Sequence, residues 1–169
     1  MPNGDFLRLG NVRKTQTCLA AVVNANALAE IENEIQSQVQ LLFDLAIYHY
    51  QFAAKQSSIH WRQKISRLYY ACYACSRAIR LYHEGIFSVE VKDHQQIDNL
   101  PKDFPEPARF KVRLGDLRSD RNTSDYDHLA TQDDLILEIS ESTELTKDFL
   151  KQTKLFMSSR GFILSGDVE

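Results

Sequence analysis

Arg121 and His128 close the run Leu117 to His128, LRSDRNTSDYDH, and are the residues of this chain best suited to chemistry on a phosphate. An arginine carries a permanent charge and a planar fork of donors that matches phosphate oxygens. A histidine exchanges protons near neutral pH. Metal-free RNA cleavage needs little more than these. A base takes the 2′-hydroxyl proton, a cation stabilises the crowded phosphate, and an acid protonates the leaving 5′-oxygen. One arginine and one histidine per subunit meet these needs when a dimer brings two copies together. Asn122 and Asp125 lie between the two and are placed to position them. The same spacing also allows a plainer reading, in which Arg121 and Asp125 form a salt bridge that ties down a turn and His128 is merely exposed.

Other residues of reactive type carry less. His60 and His83 fall at helix ends, where a histidine is usually a surface or capping residue. His94 follows Asp93, whose carboxylate can orient an imidazole, although a solvated loop histidine explains it as well. Cys72 and Cys75 form a Cys-x-x-Cys inside a predicted helix, but no second Cys/His pair stands at zinc spacing, so close helix packing is the expected role. Tyr69, Tyr70 and Tyr73 can stack on bases or serve as core and rim. The chain has no Gly-rich phosphate loop, no His-Glu-x-x-His and no Gly-x-Ser-x-Gly, and neither a metal nor a cofactor is expected.

The net charge of −3 hides an asymmetry. Between Leu45 and His83 lie Lys55, Arg62, Lys64, Arg67, Arg77 and Arg80 with no acidic residue, so this segment carries +6 and the remainder −9. Such a segment either forms a positive patch able to hold a nucleic-acid backbone or pairs with the acidic final helix.

The elements that position these residues read as helices. The chain has 169 residues, 43% of them hydrophobic, with only 6 Gly and 4 Pro. That is an ordinary composition for one globular domain with a core of its own. Leu28, Ile31, Ile35, Val39, Leu42, Leu45 and His49 recur every three or four residues, which predicts a helix ending near Gln56. A second helix is expected from about His60 to His83, with Trp61, Ile65, Leu68, Tyr69, Cys72, Cys75, Ser76 and Ile79 on one face and Gly85 closing it. A third follows Pro107 to about Asp120, and the turn formers of Arg121 to His128 then read as a linker. Thr131 and Asp134 form a capping box expected to open the last helix, which ends before Gly161. Residues 1–25 read as an extension with a short helix plausible over Ala20 to Ala29, residues 26–160 as the helical domain, and 161–169 as a tail. The expectation is an all-α, four- to five-helix up-and-down bundle. The absence of a long apolar run or a signal-like N-terminus, and an odd set of three cysteines, point to a cytoplasmic protein.

Two stretches resemble the signatures of the HEPN family. Ser66 to Gly85, SRLYYACYACSRAIRLYHEG, resembles the first, with Arg67, Tyr69, Tyr70, Ala71, Arg77 and Ala78 at the matching places. LRSDRNTSDYD resembles the second, an arginine followed after a short gap by Asp125 and Tyr126. The resemblance covers roughly residues 40 to 157 and implies a homodimer formed through the face carrying the second motif. It further implies a composite, metal-independent ribonuclease site of Arg121 and His128, supported by Asn122, Asp125 and Tyr126, in a toxin or defence protein. Arg62, Arg67, Arg77, Arg80 and Arg118 would guide the RNA. A nucleotidyltransferase of the MNT type is the implied antitoxin partner, and a non-catalytic module that binds a nucleotide or such a partner is the alternative. Ala74 stands where many relatives have a histidine, and Tyr126 precedes His128 rather than following it.

Overall fold

Helix α3 (Trp61–Glu84) is buried on nearly every side, and the other elements are arranged around it. The computed structural model describes residues 4–8, 10–88 and 91–168. Around α3 stand α1 (Val12–Leu19), α2 (Ala25–Ala54), α4 (Pro107–Tyr126) and α5 (Ile139–Ser158), with no strand among the described residues. The architecture is an all-α helical bundle. None of its helices is long and apolar enough to cross a membrane, among the described residues.

Small residues let α3 take this place. Ala71, Cys72, Ala74, Cys75, Ser76 and Ala78 are all buried, so neighbouring backbones approach closely. Helices α2, α4 and α5 all pack against it. The Cys72 thiol, pushed up by burial to about 12, meets the Thr146 hydroxyl of α5 and has no access to solvent. At one end, Phe104, Phe110, Phe149 and Phe156 form a tilted ring cluster that fastens α4 and α5.

The apolar stripe of α2 drifts around the helix, as a repeat near 3.5 residues must on a 3.6-residue turn. Ile35, Val39 and Leu42 are buried as the periodicity predicts, but farther on Phe43, Ala46, Ile47, Tyr50 and Ala53 take over the core. Leu45 turns outward with Leu41, Tyr48 and Phe52.

The N-terminal segment is tied into the bundle. Its helix is α1, earlier than the span expected, and α2 starts at Ala25 behind Asn24, whose side chain accepts the Ala27 N–H. The Val12 N–H donates to the Gly85 carbonyl at 2.8 Å, and Arg13 donates to the Tyr82 carbonyl while pairing with Glu32 of α2. Gly85 closes α3 at φ 69°, as its position suggests, and also admits α1: a Cβ there would lie 2.4 Å from the Arg13 nitrogen. At the other terminus Leu164 is buried against the core.

Two expectations change at the last connection. Arg121 to Tyr126 form the final turns of α4 instead of a linker. Arg62 explains this: its guanidinium donates to the carbonyls of Ser124, Asp127 and Ala130, satisfying the helix end from outside. The Thr131–Asp134 capping box does form, but it opens a single 3₁₀ turn, Gln132–Asp134. The buried Asp120 carboxylate then accepts the N–H groups of Ile136 (2.7 Å) and Leu137 (3.0 Å), which holds that segment extended. A second box, Glu138 with Glu141, opens α5.

Gly85→Ala is expected to lower stability by at least about 1–3 kcal/mol, through the left-handed backbone and the collision with α1 together. Thermal melts measure this, and an unchanged midpoint would show that α1 does not dock at Gly85.

Candidate functional site

The ionic anchor of the site is Asp93, at the start of the connector between α3 and α4. It is buried and forms a two-pronged pair with Arg80, 2.8 and 2.9 Å, while the Tyr73 hydroxyl donates to it at 2.7 Å. Arg77 stands 3.6 Å away and donates to the Ser88 carbonyl. Burial alone would raise the Asp93 carboxyl, but the hydrogen bonds from Arg80 and Tyr73 and the charges of Arg80 and Arg77 hold it below its ordinary value.

With Asp93 fixed, the 3₁₀ turn Val91–Gln96 lies along α3 and places His94 among three tyrosines. The imidazole stacks on Tyr73 with centroids 4.3 Å apart and 19° between planes. Its Nδ1 is 2.9 Å from the Tyr69 hydroxyl, and Tyr70 meets it edge-on. Asp93 therefore acts on the connector backbone, and the phenol of Tyr69 orients the ring. Burial, followed by the positive charge of Arg121, pushes His94 below the ordinary histidine value. Tyr69 is pushed far up by its burial and stays protonated.

Arg121 reaches this cluster from α4. Its Nη2 donates to the Tyr70 hydroxyl at 2.9 Å, and Nη1 donates to the Tyr126 hydroxyl and the Asn122 side chain, each at 3.2 Å. Its Nε lies 2.8 Å from Asp125, the i,i+4 salt bridge that the spacing allows. The rings of Tyr69, Tyr70 and Tyr126 surround the guanidinium at 5.1 to 5.6 Å. Only 14% of the side chain remains exposed. Arg118, one turn earlier, donates to the Gln95 carbonyl and stands 4.0 Å from Asp98. His94, Gln95, Gln96, Arg118, Arg121, Asn122 and Tyr126 line an open polar hollow of about 780 Å³.

His128 is elsewhere. It is exposed on the turn after α4 and lines a separate hollow of about 500 Å³ with Arg62, Arg67, Tyr70 and Asp125. Arg121 touches two residues of that second hollow, Tyr70 and Asp125, but lines the first. Within one chain, the site residues Asn122, Asp125 and Tyr126 thus gather on Arg121, and His128 does not.

The basic residues of α3 divide into two groups. Arg80, 4% exposed, is committed to Asp93, and Arg77 is covered by Tyr73 and Phe87. Arg62 caps α4 and lies over Trp61, while Arg67 is exposed, over Phe52 and 3.4 Å from His49. The pairing alternative thus holds for Arg77 and Arg80, with the connector in the place expected of the final helix.

Asp93 was the group expected to orient the His94 imidazole, but Tyr69 and Tyr73 hold the ring, and no local spacing signals that these tyrosines and the connector meet. Comparison with protein-family models, with curated proteins and with solved structures finds no match for the chain.

Asp93→Asn is expected to destabilise the fold by about 3 kcal/mol at pH 7, because it leaves Arg80 buried without its countercharge. The folded-state carboxyl lies below the ordinary value of about 3.9, so the wild-type advantage is complete above that value and is lost as pH falls through the lower one. Urea denaturation at pH 7 and pH 3 measures both effects. Equal stability of the two proteins at pH 7 would contradict the anchoring role.

Proposed function

We propose that this chain is a HEPN-type protein that cleaves RNA without a metal as a homodimer, in the manner of a toxin or defence nuclease. The observation that carries this reading is the setting of Arg121. A permanent cation, locked by Tyr70, Tyr126, Asn122 and Asp125, faces a polar hollow with Arg118 beside it. A prepositioned guanidinium stabilises charge that develops on a phosphate without reorganising during the reaction.

In this reading Arg121 binds the scissile phosphate and His128 takes part in proton transfer. The two line different hollows of one chain, so the second subunit must deliver its His128 to the Arg121 of the first. Exposed apolar side chains beyond the motif, Leu129 and Ile136, supply contact area for such a dimer; Leu129 is 93% exposed. Arg67 and Arg118 are the cations with reach toward an RNA backbone, and they lie at the two hollows. The alternative, a non-catalytic module for a nucleotide or an MNT-type nucleotidyltransferase, draws on the same hollow and predicts no cleavage.

Cleavage of total RNA in EDTA, together with growth after induction in a bacterial host, tests the reading. Wild type is expected to cut RNA and slow growth. Arg121→Ala and His128→Ala should each lower cleavage by at least about 100-fold, the scale of a lost charge stabiliser or proton donor. An inert wild type, or variants that cut equally well, would remove the nuclease assignment.

A further inference from the structure

His94 is held with more apparatus than a connector histidine needs. A buried ion pair, Arg80 with Asp93, fixes the backbone beside it, and Tyr73 serves both ends of the arrangement. Its hydroxyl donates to Asp93 while its ring carries the imidazole. With Nδ1–H donating to the Tyr69 hydroxyl, whose own proton points to the His94 carbonyl at 3.5 Å, Nε2 is left with a free lone pair for a ligand. Arg121 packs against Tyr69 and Tyr70 and thus lies on the same hollow as His94, with Arg118 on the same face of α4. Asn122, Gln95 and Gln96 add amides able to bond base edges, and the exposed Tyr126 adds a stacking surface. Asp98 on the hollow and Asp125 on Arg121 are the acidic groups present, and each already partners an arginine.

We infer that the hollow between the Val91–Gln96 turn and α4 is the seat of the RNA phosphodiester, and that His94 is its general base. The inference rests on the ribonuclease reading and assigns within it the group that starts the reaction. His94 Nε2 takes the proton of the 2′-hydroxyl. The 2′-oxygen forms its bond to phosphorus as the bond from phosphorus to the 5′-oxygen breaks, which leaves a 2′,3′-cyclic phosphate. The leaving 5′-oxygen takes a proton from the imidazolium of the second subunit's equivalent of His128. Arg121 and Arg118 hold the non-bridging oxygens throughout.

A base must be neutral before it can act. The groups facing His94 are Tyr69, Tyr70, Tyr73 and Arg77 from α3, Arg118 and Arg121 from α4, and Asp93 and Asp98 from the connector. Burial, then the charges of Arg121 and Arg77, outweigh Asp93 and push the ring below the ordinary histidine value, which favours its neutral form. Protonation of His94 should therefore give the pH profile its acid limb.

The test compares wild type, His94→Gln, His94→Ala and His128→Gln on a short RNA in EDTA from pH 4.5 to 8. A 2′-O-methyl copy of the RNA measures binding apart from cleavage. His94→Gln keeps a side chain that can meet Tyr69, and circular dichroism establishes that each variant is folded. The expected result is a loss of at least about 100-fold in His94→Gln with binding within about threefold of wild type. The acid limb should disappear from the residual rate, and added imidazole should restore part of the cleavage by His94→Ala. Wild-type cleavage with an equally active His94→Gln overturns this inference and leaves the ribonuclease reading standing. A loss with the acid limb intact and no imidazole rescue makes His94 a positioning residue and also overturns it. A wild type that does not cut removes both.

Discussion

A guanidinium and a carboxylate buried together in the bundle wall constrain everything near the proposed site. Arg80 and Asp93 meet with both prongs of the fork filled, and Tyr73 and Arg77 occupy the remaining sides of the carboxylate. Taking two such charges out of water is costly, and a hydrophobic pair of equal volume often serves stability as well. What the ion pair supplies is direction. It allows one register for the connector, since any slip would strand a charge. The turn Val91–Gln96 is thereby fixed against α3, and the imidazole of His94 follows from it.

Arg121 depends on a second polar tie of the same kind. The last turns of α4 are rich in Asn, Thr, Ser and Asp, residues that compete with helical hydrogen bonding. They stay helical because Arg62 of α3 takes the terminal carbonyls and because Arg121 and Asp125 pair along the helix. The two ties meet on the tyrosines of α3: Tyr69 and Tyr73 face the connector, and Tyr70 faces α4. The central helix thus orients both halves of the hollow, and it does so with side chains that also close the core.

How much of this was legible depends on the range of each interaction. The spans of α2 and α3 and the glycine after α3 follow from local periodicity and backbone freedom, which neighbouring residues carry. The end of α4 was misread because Arg62 lies 62 residues from Ser124, and no local pattern records that bond. The capping box at Thr131 was read correctly as a box and wrongly as the start of α5, since Asp120 captures the next two N–H groups. In the site, Arg121 and its neighbours Asn122, Asp125 and Tyr126 were visible because they share one helix face. His94 meets Tyr69 across 25 positions, and that contact exists only after the connector folds back.

The lining of α3 bears on how sequences of this kind can drift. Six of its buried positions hold alanine, cysteine or serine, and three other helices press on them. Each added methylene there forces backbones apart at a cost of about 1–3 kcal/mol, a large share of a domain's stability. The outer faces of α2 and α5 face no such limit and can diverge freely. Distant kinship in such a bundle is therefore recorded less in identical residues than in a rhythm of side-chain volumes along its central helix.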